Sequence, residues 1–279
     1  MKTVSRNERE LHLRLSAPEA ESLLRGPRTD DCLALQLALK ELVVREALAM
    51  VTATEPCRIG PARRINLLTR GRTFNAVTDR CLQAVLGVYG GARPAEEAVD
   101  LNTYIGAMQR KMSTNSTPNG AWSAFKETLR EQTADLGRPE EIVGADGSRG
   151  VPINALTAAV LRRYPDSGWH WARTRGYVYS VVLASLVDRG FYTAEQYRRL
   201  ELFNATQWLP TPAGLEARRK IGERLAAGGL SGRGRASPGI ASELRVRASF
   251  LGNSDIVDAV FSSIDRGVRS GWSDVYGGD

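Results

Sequence analysis

Arginine is the side chain with the clearest chemical potential in this sequence, because its planar guanidinium matches phosphate geometry. Residues 162–235 hold 13 Arg and Lys against 6 Asp and Glu, and the whole chain has a net charge of +7. This balance predicts that an anionic partner meets the second half. The candidate anion-binding residues are Arg162, Arg163, Arg173, Arg175, Arg198, Arg199, Arg218, Arg219 and Lys220. The excess of arginine over lysine also fits codon usage in a GC-rich genome.

Four aromatic residues are interleaved with these bases: Trp169, Trp171, Tyr177 and Tyr179. Stacking on nucleobases or cation–π contacts would suit such a pattern. Tryptophans near a helix start are also common in cores, and closely spaced arginines are common on solvated faces. Both interpretations stay open at this point.

Residues suited to catalysis or metal binding are sparse. The two histidines, His12 and His170, have no companion at metal-ligand spacing. The sequence has no phosphate-binding glycine loop and no nucleophile elbow. We therefore expect no catalytic residue, metal or cofactor, and predict a protein that is not an enzyme. The pair Asp30 and Asp31 is interpreted as a helix cap.

The chain begins with charged residues and has no stretch of 18 apolar residues. Its three cysteines, Cys32, Cys57 and Cys81, are widely spaced, as in proteins of a reducing compartment. We expect Cys32 and Cys81 to be buried thiols. These features predict a cytoplasmic protein without a transmembrane segment.

Two segments of the chain resemble each other. Residues 39–46, Leu-Lys-Glu-Leu-Val-Val-Arg-Glu, align with residues 183–190, Leu-Ala-Ser-Leu-Val-Asp-Arg-Gly. Each ends a helical pattern of apolar residues and precedes an apolar run, a polar loop and a second apolar run. The sequence predicts a helix, a hairpin and a turn in each half.

This order of elements resembles the winged-helix family. The resemblance covers residues 150–227 through Leu183–Gly190 and the segment Trp208-Leu-Pro-Thr-Pro-Ala-Gly214, which is typical of bacterial members. It covers residues 16–72 less closely, since Glu46 replaces the glycine and Arg70 breaks the turn pattern. A fainter similarity is to bacterial Golgi-phosphoprotein-like proteins, from which no lipid-binding residue is carried over.

The predicted fold is mainly α with short β-hairpins, arranged as two winged-helix-like units joined by a helical connector. The predicted divisions are residues 1–112 for the first unit and following helices, 113–150 for a helical connector and loop, 151–230 for the second unit, and 231–279 for a flexible basic linker and short C-terminal helix. Helices are also predicted over Ala121–Leu136 and near Ile256–Phe261.

The winged-helix resemblance implies a helix in the DNA major groove and a wing along the phosphates. Our leading hypothesis is a non-enzymatic protein whose second unit contacts nucleic acid. A protein-interaction adaptor, including one that self-associates, is the first alternative. A peripheral protein that binds an anionic lipid surface is the second. Asp30 and Asp31 would repel phosphates, so we expect the first unit to pack within the fold or to pair with protein.

Overall fold

The computed structural model describes residues 15–55, 63–91, 138–164, 176–199, 203–227 and 239–277. This part of the chain is mainly helical with small antiparallel sheets, as predicted. Its α-helices are α1 (Ala17–Arg25), α2 (Asp31–Val44), α3 (Arg80–Gly90), α4 (Ile153–Arg163), α5 (Ala184–Asp188), α6 (Pro212–Ala227), α7 (Gly239–Arg247) and α8 (Ser254–Tyr276). Its strands are β1 (Leu48–Glu55), β2 (Arg63–Arg70), β3 (Ile142–Val143), β4 (Arg149–Pro152), β5 (Tyr192–Arg199) and β6 (Phe203–Pro210). The predicted helix Ala121–Leu136 lies outside the described residues.

Each half places a buried central helix before a hairpin. In the first half this helix is α2, whose residues 37–44 are all buried. In the second half a π-helical segment, Val178–Leu183, runs into α5, and we call residues 178–188 the second central helix. The hairpins β1–β2 and β5–β6 follow these helices with eight paired residues per strand. A helix followed by two paired antiparallel strands is present in both halves, as predicted, and the segments that connect the paired strands lie outside the described residues.

The internal sequence similarity reflects the same backbone geometry at the two helix ends. Glu46 has φ 57° and Gly190 has φ 75°, so both residues adopt the left-handed conformation. The next amide in each half donates back to the helix, from Ala47 to Leu42 and from Phe191 to Leu186, at 2.8 Å in both cases. Glu46 therefore takes the conformation that glycine adopts more easily.

The first hairpin belongs to a four-stranded antiparallel sheet with strand order β1-β2-β4-β3. Leu67 and Leu68 of β2 pair with Pro152 and Val151 of β4, and β4 leads directly into α4. The loop at residues 144–148, part of the predicted boundary between units, is thus the turn of the β3–β4 hairpin. Backbone pairing ties the start of the second half to the sheet of the first.

The C-terminal part of the chain differs from the predicted short helix. Helix α7 precedes α8, which covers 23 residues rather than the turn or two expected near Ile256–Phe261. Helix α8 approaches α4 closely because Gly267 and Gly271 face it. An added Cβ at Gly267 would lie 2.6 Å from Ile153 Cβ, and one at Gly271 would lie 2.4 Å from the Asn154 carbonyl oxygen.

Apolar side chains from both halves and from the C-terminal helices form one core. Leu42 of α2 and Leu186 of α5 are fully buried, and burying such a side chain contributes roughly 1.5–3 kcal/mol. Helix α1 packs against α2 and also against α6 and the second central helix. Among the described residues, no helix is long and apolar enough to cross a membrane.

Candidate anion-binding surfaces

The second central helix differs from the recognition helix that the winged-helix resemblance implies. Its sequence, Val-Tyr-Ser-Val-Val-Leu-Ala-Ser-Leu-Val-Asp, contains no arginine or lysine. Most of its side chains are buried, and Ser180 and Asp188 are its exposed positions. A groove-reading helix needs an exposed face with hydrogen-bonding side chains. This segment serves the core instead.

The N-terminal end of the same helix is covered by a carboxylate. The Val178 amide donates to Asp31 Oδ1 at 2.7 Å, and a Cβ at Gly176 would lie 2.5 Å from Asp31 Oδ2. We expected Asp30 and Asp31 to cap α2. Asp30 is its N-cap residue by position but makes no side-chain capping hydrogen bond, and Asp31 is the first residue of the helix. The Asp31 carboxylate caps the helix of the other half, where it would repel an approaching phosphate.

The first central helix is equally enclosed. Its single base, Lys40, is buried, and Lys40 Nζ lies 2.6 Å from Asp265 Oδ1 of α8. Neither central helix therefore presents a basic face among its described residues. Contact with a polyanion must use other elements.

The predicted anion-binding residues divide into three groups in the structure. Arg162 and Arg163 are exposed in the last turn of α4. Arg198 and Arg199 end β5, opposite Asn204 and Phe203 at the distal end of the hairpin. Arg218 is exposed on α6, close enough to Tyr192 to act on its pKa. Arg173, Arg175, Trp169 and Trp171 lie outside the described residues.

The remaining two predicted bases are engaged within α6. Arg219 forms ion pairs with Glu216 and Glu223, one turn away on either side, and Lys220 Nζ lies 3.5 Å from Glu216 Oε1. Arg219 and Lys220 lower the pKa of Glu216 to about 2, chiefly through the hydrogen bonds from Arg219. Exposed pairs of this kind are weak and exchange with solvent ions. Their charge largely cancels within the helix.

The two described aromatic candidates belong to the interior. Tyr177 is fully buried and donates from its hydroxyl to the Cys81 carbonyl at 2.9 Å. Tyr179 lies edge-on to Trp208 of β6, with ring centroids 6.1 Å apart, and so fixes the hairpin to the helix. These contacts support a structural role for both tyrosines rather than a role in ligand binding.

Two buried carboxylates, Glu19 and Glu41, lie near the start of α1, and Glu19 joins the two halves. Glu19 is fully buried and accepts from Ser185 Oγ at 2.7 Å and from Arg189 Nη1 at 2.8 Å. Glu41 accepts from the Ala17 amide at 2.5 Å and pairs with Arg45. Burial raises the pKa of both carboxyls, opposed by the neighbouring arginines.

Next to this junction, oxygen or sulfur atoms of Glu19, Asp79 and Cys81 lie within 4.8 Å of one another. Both carboxylates already accept hydrogen bonds from other groups of the protein. Asp79 caps α3 by accepting from the amides of Cys81 and Leu82. Burial raises the pKa of the Cys81 thiol, which disfavours the thiolate that a metal requires. The cluster is interpreted as structural.

The predicted burial of the cysteines is met in part. Cys81 is buried as predicted, whereas Cys32 is only half-buried, and desolvation raises the pKa of its thiol to about 11. Cys57 lies outside the described residues.

A second basic region that the sequence did not predict lies between the sheet, α4 and α8. It is an open cleft of about 590 Å³. Arg64 of β2 and Arg266 of α8 line it, together with the first turn of α4 at Asn154 and Ala155. Glu140 is the acidic residue in its described lining. We call this space the α4–α8 cleft.

Sequence reasoning missed the cleft because its residues come from four distant segments. Arg64 and Arg266 are about 200 positions apart and belong to no local motif. A weak signal was present in Gly267-x-x-x-Gly271, whose spacing puts both glycines on one helix face. Small residues on one face permit close helix packing, but the sequence did not show that α4 is the partner.

Comparison of the chain with protein-family models, curated proteins and solved structures finds no match.

Proposed function

We propose that this chain is a non-enzymatic binding protein with two winged-helix-like units, and that the second unit contacts nucleic-acid phosphates. The observation that carries the proposal is the placement of bases on the hairpin and helix that follow a base-free central helix. Arg198 and Arg199 end the hairpin strand β5, and Arg218 is exposed on the helix that follows the hairpin. A hairpin and a following helix can lie along a phosphate backbone without entering a groove.

The proposal is for sequence-independent contact. Base discrimination requires side chains that reach base edges, and the second central helix is buried and capped by Asp31. Phosphate contacts supply affinity but no sequence information. We therefore expect similar affinities for duplexes of different sequence.

Binding rather than catalysis also fits the arrangement of the buried acids. Glu19 and Glu41 each accept hydrogen bonds from protein donors. A general acid or base must reach a substrate, and both carboxylates are fully buried.

The experiment is duplex DNA binding at several salt concentrations, with the variant Arg198→Ala/Arg199→Ala/Arg218→Ala. Each lost phosphate contact lowers the slope of log K against log salt by about 0.9. We expect weaker binding and a slope smaller by about 2–3 in the triple variant. Arg64→Ala/Arg266→Ala is the matched control, because it removes two arginines from the α4–α8 cleft instead. Equal binding by the triple variant and the wild type would overturn the proposal.

A protein partner is a second candidate because several apolar side chains are exposed on the C-terminal helices. Val246 is 66% exposed, Ile256 is 50% exposed, and Trp272 and Tyr276 are also exposed. Contacts through such groups depend little on salt. If no DNA binds at low salt, sedimentation across a concentration series then tests self-association, with Ile256→Ser as the variant expected to weaken it.

A further inference from the structure

We infer that the α4–α8 cleft binds the phosphate monoester group of a small hydroxyl-bearing compound. The volume of about 590 Å³ falls within the roughly 300–1,000 Å³ range of small-molecule sites. This site is separate from the proposed polyanion surface, which uses β5, β6 and α6. The two proposals therefore succeed or fail independently.

Two guanidinium groups from different elements supply the positive charge. Arg64 on β2 and Arg266 on α8 are both exposed, and no ion pair joins either of them to another described residue. Arg266 Nη2 donates to Ser263 Oγ of the cleft lining at 3.5 Å. By contrast, Arg219 on α6 is paired with two glutamates. Two guanidinium groups that open onto one cleft match the charge of a phosphate monoester, which is about −1.5 to −2 near neutral pH.

The first turn of α4 lies on a third side of the cleft. Its N-cap residue is Pro152, whose side chain makes no capping hydrogen bond. The first amides of a helix lack intrahelical acceptors, and the helix dipole favours an anion there. Asn154 and Ala155 of this turn line the cleft.

The floor of the cleft is held in place by polar contacts between the sheet and α8. Asn66 Nδ2 donates to Ser263 Oγ at 3.0 Å, and Thr52 Oγ1 donates to Asn66 Oδ1 at 3.0 Å. The close approach of α8 to α4 at Gly267 fixes the opposite wall. A binding site built before its ligand arrives loses less entropy on binding.

The remaining lining indicates what the phosphate is attached to. Ile65 and Ile153 provide apolar surface, whereas Glu140 and Ser270 are polar and exposed. Glu140 would repel a second phosphate but can accept hydrogen bonds from hydroxyl groups. A phosphorylated compound with free hydroxyls fits this combination better than a bare polyanion.

Titration calorimetry with glycerol 3-phosphate and with inorganic phosphate tests the inference. We expect saturable binding of glycerol 3-phosphate, competed by inorganic phosphate, and binding at least about tenfold weaker in Arg64→Gln/Arg266→Gln. Arg247→Gln at the end of α7 is the matched control, because this exposed arginine belongs to neither proposed surface, and it should bind like the wild type. Glu140→Gln should bind inorganic phosphate more tightly, since it removes a repulsive charge. Urea unfolding of each variant is the control that checks whether its fold is retained.

A lipid headgroup and a free phosphate ester share this chemistry, so a second arm separates the two sources. Phosphatidylcholine vesicles with and without phosphatidic acid are sedimented with wild type and Arg64→Gln/Arg266→Gln. Binding that needs phosphatidic acid and both arginines would assign the site to a lipid headgroup. The inference is overturned if neither soluble probe nor vesicle binds, or if binding persists unchanged in the double variant. DNA binding by that variant would be unaffected in every case.

Discussion

Arg189 at the end of α5 donates from Nη1 to Glu19 Oε2 of α1 at 2.8 Å, across 170 positions of the sequence. Ser185 donates to the other oxygen of the same carboxylate. Glu19 has no exposed surface, whereas the Arg189 side chain is 21% exposed. This buried pair is one of the contacts that hold the two halves together.

Removing Arg189 should destabilise the protein strongly. Arg189→Ala leaves a buried carboxylate without its counter-charge, and we expect a loss of about 3 kcal/mol in the free energy of unfolding. The measurement is the urea unfolding midpoint and slope. Arg219→Ala is the control, because its pairs are exposed on α6. An equally small effect of both substitutions would contradict the structural role of the pair.

The left-handed conformation of Glu46 offers a stabilising substitution. Glu46→Gly removes the strain of φ 57° and should raise the free energy of unfolding by roughly 0.5 kcal/mol, after the entropic cost of glycine. The ion pair lost with Arg72 is mostly exposed and contributes little. Gly190→Ala at the equivalent position should cost about 1 kcal/mol. Thermal unfolding of both variants would reveal whether the two sites respond with opposite signs.

The helix pair α4–α8 should be intolerant of added volume at its crossing. Gly271→Ala puts a Cβ 2.4 Å from a backbone oxygen that cannot move freely, and we expect a loss of about 1–3 kcal/mol. Gly222→Ala in α6 is the matched control, because no atom lies within 4 Å of its added Cβ. It should stabilise the protein by about 0.5–1 kcal/mol. Chemical denaturation of the two variants checks the contrast, and a neutral result at Gly271 would rule out the close packing.

Stability should depend on pH through the buried carboxyl group of Glu41 in α2. Burial raises the pKa of Glu41 above its ordinary value of 4.5, so the folded protein holds this proton more tightly than the unfolded chain. The stability that Glu41 contributes is fully present below pH 4.5 and is lost as pH rises through the raised value. Glu41→Gln should flatten this part of the stability profile. The measurement is the urea unfolding midpoint of wild type and Glu41→Gln at a series of acidic pH values. The same pH profile in both proteins would contradict the prediction.

The contribution of Glu216 to stability should depend on pH in the opposite direction to that of Glu41. Hydrogen bonds from Arg219 hold its pKa at about 2, so its favourable contribution is present above its ordinary value of 4.5 and disappears as pH falls through about 2. The Glu216 side chain is 43% exposed, and added salt should weaken this dependence. Comparing Glu216→Gln with wild type in low and high salt is the corresponding measurement.

The sequence by itself determined the local elements of this protein. The apolar patterns ending at Arg45 and Arg189 predicted two helices, each followed by a hairpin, and the structure contains both. Helix caps, apolar periodicity and turns act over a few residues, so a single sequence shows them. The likeness of residues 39–46 to 183–190 predicted a repeated geometry for the same reason.

Only the tertiary structure decided which side chains of these elements remain exposed for binding. Asp31 was expected to cap its own helix, yet its carboxylate also receives the Val178 amide from the other half. Tyr177 was a candidate stacking residue, yet it is buried against α3. Arg64 and Arg266 meet at one cleft only because α8 folds back over α4. Burial and charge pairing depend on contacts between segments far apart in sequence, and no local pattern specifies those partners.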